Sequence, residues 1–253
     1  MSQTLKQQMH TKQLLAGTFL KTPAYELVEV LACSGLDFIC LDAEHAPFDR
    51  ARLDACLALC RGLGLPALVR VASGARHEIL QALDSGASGV VVPHVDTVAK
   101  AQEIARWGRF GHGGRGYAGS TRWAGFTCRT MPDLLSQSTD ETVVIAQIEE
   151  PEGVEVCEQM AAIDGIDGLF VGPADLAVCL GVGDLNDPEV LTAMQRVGNA
   201  CVNESCCCMT FVADTGKVDN LRKLGVSMFY ISSEHGFMLQ GARQAANDID
   251  EKR

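Results

Sequence analysis

The sequence predicts a (β/α)8 barrel, and three observations carry that prediction. Eight short apolar runs recur along the chain, at 14–20, 37–42, 66–71, 89–95, 142–149, 168–172, 208–213 and 228–233. Most are continuously apolar and rich in β-branched residues rather than alternating, as strands buried on both faces are. Helical patterns lie between them, and the whole fits within 253 residues with no low-complexity linker. The competing architecture, a doubly wound sheet, calls for a glycine fingerprint directly after a strand. The glycine-rich stretch here, GRFGHGGRGYAG at 108–119, follows a helical pattern and reads as a long loop.

The elements follow in order. After LLAGTFL comes PAYELVEVLACSG (23–35), with Tyr25, Leu27, Val28, Leu31 and Ala32 on one face and Gly35 as the stop. After DFICLD comes DRARLDACLALCRGLG (49–64), opened by Asp49 as N-cap and closed by Gly62 and Gly64. PALVRV is followed by a helix over 75–87, and GVVVPHV by one over 98–108. The runs TVVIAQIE and GLFVG precede a long helix over 187–205, which starts with the N-cap and N1 pair Asp187-Pro188. CMTFVA leads to a helix over 216–225, and MFYISS to a last helix over 241–253. The chain 1–253 thus reads as one barrel domain.

Composition narrows the function. The net charge is −11 and no run is rich in Lys or Arg, which argues against nucleic acid or an anionic membrane as partner. No apolar stretch reaches the roughly 20 residues of a membrane span. The N-terminal MSQTLKQQMHTKQ lacks the apolar centre of a signal peptide, so a soluble, cytoplasmic protein is expected. The 11 cysteines fall short of the roughly 8–10% of a disulfide scaffold. Cys206, Cys207 and Cys208 are adjacent rather than spaced as in a zinc site, and read as small hydrophobes in a buried strand.

A barrel places chemistry at the C-terminal ends of its strands. The groups there are Asp42, Glu44 and His45; Arg70; His94 and Asp96; Gln147, Glu149 and Glu150; Gly172, Pro173 and Asp175; Asp214; and Ser232, Ser233 and Glu234. Glu149 and Asp175 follow two buried strands and would converge at the barrel mouth. Two carboxylates without a close cation share a proton, neutralise or bind a metal, and hard oxygen ligands suit Mg²⁺ or Mn²⁺. The alternative for Asp175 is a helix cap. Arg70 ends an otherwise apolar run, so it needs a partner: a substrate carboxylate or enolate, or a structural ion pair inside the barrel. His45 is either a general base or a structural group. His94, His112 and His235 are further candidates for base or ligand. No lysine is read at a strand end, which disfavours a Schiff-base aldolase.

The motifs LDAEHAPFD, LVRV, LDSGASGVVVPHV, GGRGY, QIEEPEG and DGLFVGPADLA, in this order over roughly 14–240, resemble the HpcH/HpaI aldolase family. These are class II, metal-dependent pyruvate aldolases related to the 4-hydroxy-2-oxoheptanedioate and 2-dehydro-3-deoxyglucarate aldolases. The resemblance implies a (β/α)8 barrel assembled as a homo-hexamer, with the last helix exchanged between subunits. It implies a divalent metal (Mg²⁺, Mn²⁺ or Co²⁺) on Glu149 and Asp175. It further implies a 2-oxo acid held by Gln147, Gly172, Pro173, Ala174 and Asp175, with an aldehyde as second partner. His45 would be the acid/base, Arg70 would steady the enolate, and Asp84 would raise the basicity of His45. Periodicity, however, sets Asp84 at a helix end leading into the fourth strand, the opposite face from the chemistry. Phe19 and the loops ADTGK and SSEHGF depart from the family pattern, so the resemblance names no particular aldehyde. Other lyases of this scaffold use acyl-CoA thioesters or make citrate, some without metal; Arg115, Arg122 and Arg129 in the long loop could meet nucleotide phosphates. A non-catalytic barrel is the third reading, and so many charged strand ends speak against it.

Overall fold

The computed structural model describes residues 3–11 and 14–253. The predicted barrel is present. Its eight strands are β1 (Leu15–Leu20), β2 (Phe38–Asp42), β3 (Ala67–Arg70), β4 (Gly89–Val92), β5 (Val143–Ile148), β6 (Gly168–Val171), β7 (Cys207–Val212) and β8 (Met228–Ser233). They pair in parallel in chain order, and β8 closes onto β1.

In chain order the helices are α1 (Leu5–His10), α2 (Tyr25–Ala32), α3 (Arg50–Leu63), α4 (Arg76–Asp84), α5 (Val98–Trp107) and α6 (Met131–Glu141). They continue with α7 (Pro151–Glu155), α8 (Cys157–Ala161), α9 (Pro173–Cys179), α10 (Pro188–Asn203), α11 (Val218–Lys223) and α12 (Glu234–Asp250). Every helix the sequence pattern predicts forms, and the caps act as expected. Asp49 accepts the Arg52 N–H at 2.8 Å, and Gly64 closes α3 in the left-handed region at φ 70°. Asp187 and Pro188 start α10.

Six helices differ from the expectation. α1 forms in the polar N-terminal stretch because Thr4 and Gln7 make a capping box, and because Leu5 and Met9, one turn apart, bury against the bottom of the barrel. α6 starts after the long loop on the Thr130 cap. The short α7, α8 and α9 are too brief to show a period. α12 begins at Glu234, seven residues before the predicted start, because Ser233 caps it through the Gly236 N–H. The cysteine cluster sits as expected: Cys206, Cys207 and Cys208 are buried at the start of β7.

Period 2 sorts each strand into two faces. One set, including Ile39, Leu41, Val69, Val90, Ala146, Leu169 and Cys208, packs under the helices. The other fills the barrel: Leu15, Phe19, Phe38, Cys40, Leu68, Val91, Val143, Ile145, Phe170, Cys207, Met209, Met228 and Tyr230. Phe38 fits because Gly17 opposite has no side chain, and a Cβ there would run into its ring. Near the top, Tyr230 stacks on Phe19 at 4.5 Å and meets Phe170 edge-on at 4.9 Å. This aromatic layer is the floor of the mouth.

Candidate active site

The inward parity continues past the last aromatic layer and places the polar groups. Lys21 follows Phe19, Asp42 follows Cys40, Arg70 follows Leu68, Gln147 and Glu149 follow Ile145, and Gly172 follows Phe170. Lys21, Arg70, Gln147 and Gly172 line a cavity of about 170 Å³ together with Phe19, Phe170, Pro173, Ala174, Asp175, Phe211, Ser232 and Ser233. The structure therefore brings Arg70, Gln147, Gly172, Pro173, Ala174 and Asp175 to one cavity.

Arg70 has a partner that sequence reasoning left unassigned. Asp42 and Arg70 are register neighbours at the ends of β2 and β3. The carboxylate takes the guanidinium in a fork, Nε to Oδ1 at 3.0 Å and Nη2 to Oδ2 at 2.7 Å. Both are buried, and the guanidinium lies over the Phe19 ring at 4.6 Å. Glu44 stands 3.3 Å from Arg70 Nε. Burial pushes the Asp42 carboxyl up, but the Arg70 hydrogen bonds and charge outweigh it and hold the carboxyl below its usual range. Burial also pushes Glu44 up, and here it prevails over the pull of Arg70. The two readings of Arg70 are compatible: the ion pair fixes a cation that lines the cavity.

Lys21 corrects the expectation that no lysine stands at a strand end. It directly follows Leu20, lines the cavity, and lies 3.5 Å from Asp42 through its ammonium. It was missed because the apolar run ended one residue before it; strand parity would have found it.

Glu149 is buried and takes the Gln147 side-chain N–H on Oε1 at 2.5 Å and the His94 backbone N–H on Oε2 at 3.0 Å. Asp175 lies in the first turn of α9, past the N-cap Gly172, and its side chain makes no hydrogen bond among the described residues; it does not cap the helix. A Cβ placed on Gly172 would sit 3.1 Å from Glu149 Cγ and 3.5 Å from both Glu149 Oε1 and Asp175 Oδ2. The bare Cα thus leaves a gap between the two carboxylates. Gln147 Oε1, on the amide whose N–H meets Glu149, is buried without a partner. A gap, an orphaned oxygen and two hard oxygen ligands fit a divalent cation.

His45 sits on the loop after β2, its backbone N–H bound to Asp42 Oδ1 at 3.1 Å and its Nε2 3.7 Å from Glu44. The ring is more than half exposed at the mouth. His94, at φ 55°, places Nδ1 2.7 Å from Glu150 Oε1 and 3.2 Å from Glu149 Oε2. The hydrogen bond to Glu150 and the charges of Glu149 and Glu44 raise its pKa against the opposing effect of burial. His235 meets the Thr22 hydroxyl at 2.7 Å, beside Glu234, whose carboxylate accepts the Lys21 and Thr22 N–H groups.

Asp84 is the residue the structure does not bring to the mouth of its own chain. It ends α4 at the opposite face, paired with Arg115 at 2.5 Å. The Arg115 guanidinium lies over the rings of Phe110 and Trp123, 4.7 and 4.6 Å from their centroids. Arg122 pairs with Asp54, and Arg129 lines a cavity with Pro66, Ala67 and Ser88 at the strand starts. The three arginines offered for nucleotide phosphates therefore lie at the wrong end of the barrel, and two of them carry carboxylate partners.

The sequence profile described as HpcH/HpaI aldolase/citrate lyase matches residues 15–240. The chain belongs to that family. It is an enzyme of the aldolase class. A hydroxypyruvate/pyruvate aldolase of Paraburkholderia phytofirmans is 30% identical over 253 residues, covering 97% of this chain and 96% of that one. A 5-keto-4-deoxy-D-glucarate aldolase of Klebsiella pneumoniae is 39% identical over 171 residues, 67% of this chain and 66% of that one. The crystal structure of an HpcH/HpaI aldolase/citrate lyase family protein from Burkholderia cenocepacia superposes with a TM-score of 0.91 at 34% identity, covering 97% and 98% of the two chains. Among the described residues no helix is long and apolar enough to cross a membrane.

Proposed function

We propose that this enzyme is a divalent-metal-dependent aldolase that reversibly cleaves a 4-hydroxy-2-oxo acid to pyruvate, or a related 2-oxo acid, and an aldehyde. The observation that carries the reading is the gap over Gly172 between Glu149 and Asp175, at the wall of a cavity that also presents a fixed guanidinium. The names of the similar aldolases support it, since hydroxypyruvate, pyruvate and a keto-deoxy sugar acid all carry a 2-oxo acid unit.

Glu149 and Asp175 would hold the ion. When bound, it would act as a Lewis acid toward the 2-keto oxygen. The protein's own groups do the rest. Gln147 and the 172–175 turn position the 2-oxo acid, with Ala174 and Pro173 closing the apolar side. His45 takes the proton of the 4-hydroxyl; the C3–C4 bond breaks, its electron pair passes into the enolate, and the aldehyde leaves. Arg70, already oriented by Asp42, adds positive field where that charge develops and loses no energy to reorganisation. Return of a proton to C3 gives pyruvate.

Assembly as a homo-hexamer with α12 exchanged between subunits is part of the proposal. Phe237, Met238, Leu239 and Ile249 on α12 are exposed, so this helix offers apolar surface that its own barrel leaves uncovered. Contact of Asp84 with His45 then requires a neighbouring subunit. A cytoplasmic site is proposed from 11 free thiols, which suit a reducing compartment.

The deciding experiment measures pyruvate release from a panel of 4-hydroxy-2-oxo acids by metal-stripped protein with Mg²⁺, Mn²⁺ or Co²⁺ added back. Metal-stimulated turnover is expected; its absence across a broad panel refutes the proposal. Borohydride added with pyruvate is expected to leave Lys21 unmodified, and a reduced adduct there would mean Schiff-base chemistry instead.

A further inference from the structure

We propose a phosphoryl-binding site at the base of the barrel, built from Arg106, Arg109 and His112 around the glycine-rich loop 111–114, which takes a phosphorylated small molecule or free phosphate. It lies at the end opposite the proposed chemistry and does not rest on the metal-dependent reading.

A cavity of about 430 Å³ opens there, between α5, the loop that follows it and the 163–165 turn that leads into β6. Lys6, Arg106, Arg109 and His112 line it against one carboxylate, Asp164. In a chain of net charge −11 this is a local reversal of sign. The carboxylate behind the wall, buried Asp167, is already shared. Its Oδ1 meets Lys6 at 3.0 Å, and its Oδ2 takes Arg109 Nη2 at 3.0 Å and the Val144 N–H at 2.8 Å. Lys6 also donates to the Thr139 carbonyl at 2.8 Å, so it adds field rather than a free donor. Arg109 differs: its Nη1 is buried without a hydrogen-bond partner, on a side chain only 16% exposed. A charged N–H left dry and unpaired is costly, and an oxygen of a ligand in the cavity would supply the missing acceptor. Among the described residues, Arg106 and His112 have no carboxylate within ion-pair distance. Arg106 sits in the last turn of α5, where the helix dipole favours any cation, yet that leaves its guanidinium fork free. The side chain lies along Gly113, where a Cβ would stand 3.6 Å from its Cδ. Gly111 and Gly113, at φ 145° and 72°, fold the loop back on the helix, and the His112 and Gly113 N–H groups find no acceptor among the described residues. Guanidinium forks beside the free N–H groups of a glycine-rich turn suit phosphoryl oxygens. A carboxylate offers two oxygens; a phosphoryl group offers three or more, enough to serve both arginines and the loop together.

The test is calorimetric titration of the metal-stripped full chain with inorganic phosphate and with glycerol 3-phosphate, at constant ionic strength set by chloride. Removing metal ensures that no cation at the mouth holds the anion. Saturable binding with a Kd of about 1 mM or tighter is expected. Arg106→Gln removes an exposed guanidinium with no carboxylate partner, so the Tm without ligand should be unchanged. Phosphate binding should weaken by about 10–100-fold, the loss of a hydrogen bond to a charged group. Arg222→Gln, at another exposed arginine on α11, should bind phosphate as wild type does, which separates a built site from general surface charge. An independent check needs no variant: the backbone amide NMR signals of His112 and Gly113 should shift on adding phosphate, and their failure to move overturns the site. No saturable heat up to about 10 mM phosphate, or equal affinity in wild type and Arg106→Gln, also overturns it. Tighter binding of the ester identifies an organic phosphate as the ligand and tighter binding of the free anion identifies phosphate itself; both uphold the site. Pyruvate release has no part in these readings, so this proposal and the aldolase reading fail separately.

Discussion

Asp42→Asn is the sharpest probe of how the mouth is held together. The substitution keeps the size of the side chain and one oxygen, but removes the charge and turns an N–H₂ toward Arg70. Asp42 is fully buried and makes both guanidinium bonds, at 3.0 and 2.7 Å. Breaking a buried pair by removing one partner costs about 3–5 kcal/mol, because the other charge is left uncompensated. Glu44 remains 3.3 Å from Arg70 Nε, which places the loss at the lower end, about 3 kcal/mol. For a chain of this size that is a fall in Tm of roughly 6–12 °C. A double-mutant cycle with Arg70→Met should give a coupling of about 2–3 kcal/mol. The pH dependence has a definite sign. The folded-state pKa of Asp42 is lowered. Its contribution is therefore full above the unfolded value of about 3.9 and is lost as pH falls through the depressed folded value. The gap between wild type and variant should be constant from pH 7 down to about pH 4 and close below it. A Tm loss under about 2 °C at pH 7, or a coupling near zero, refutes the view that this pair is a structural unit.

Two further outcomes follow from local geometry. Gly172→Ala should fold, yet the added Cβ pushes on Glu149 Cγ at 3.1 Å and fills the space between the carboxylates. A loss of about 100-fold in kcat/KM, with matching loss of metal affinity by calorimetry, is expected; activity within about threefold of wild type would show that the gap is not used. A thiol reagent such as DTNB should modify Cys33 and Cys128 fast in the native protein, Cys179 more slowly because desolvation and the surrounding carboxylates raise its pKa, and the other cysteines only on unfolding. Burial pushes Cys40, Cys60 and Cys157 up to about 12, so rapid reaction there at neutral pH would contradict the packing described.

Much of the barrel was legible because its strands are buried on both faces, and continuous apolar runs bounded by capped helices have few other uses. The short helices α7, α8 and α9 were not, since five to seven residues do not complete two turns. For the site, strand parity held more than was taken from it. Once Phe38 and Cys40 are read as inward, Asp42 must be inward too, and the same step sends Lys21 and Gly172 into the mouth. Neighbouring parallel strands ending on Asp42 and Arg70 then put opposite charges side by side in a dry environment, so each residue explains why the other is tolerated. Parity stops where the strand stops. His94 reaches Glu149 through a left-handed turn at a non-glycine residue, and no composition or spacing signals that conformation. Asp84 marks the opposite limit: periodicity set it at the far face, and the structure gives it a buried Arg115 to neutralise. A role for it at the mouth is consistent with this chain only if a second subunit brings its face there, which makes the oligomeric state part of the catalytic argument rather than an addition to it.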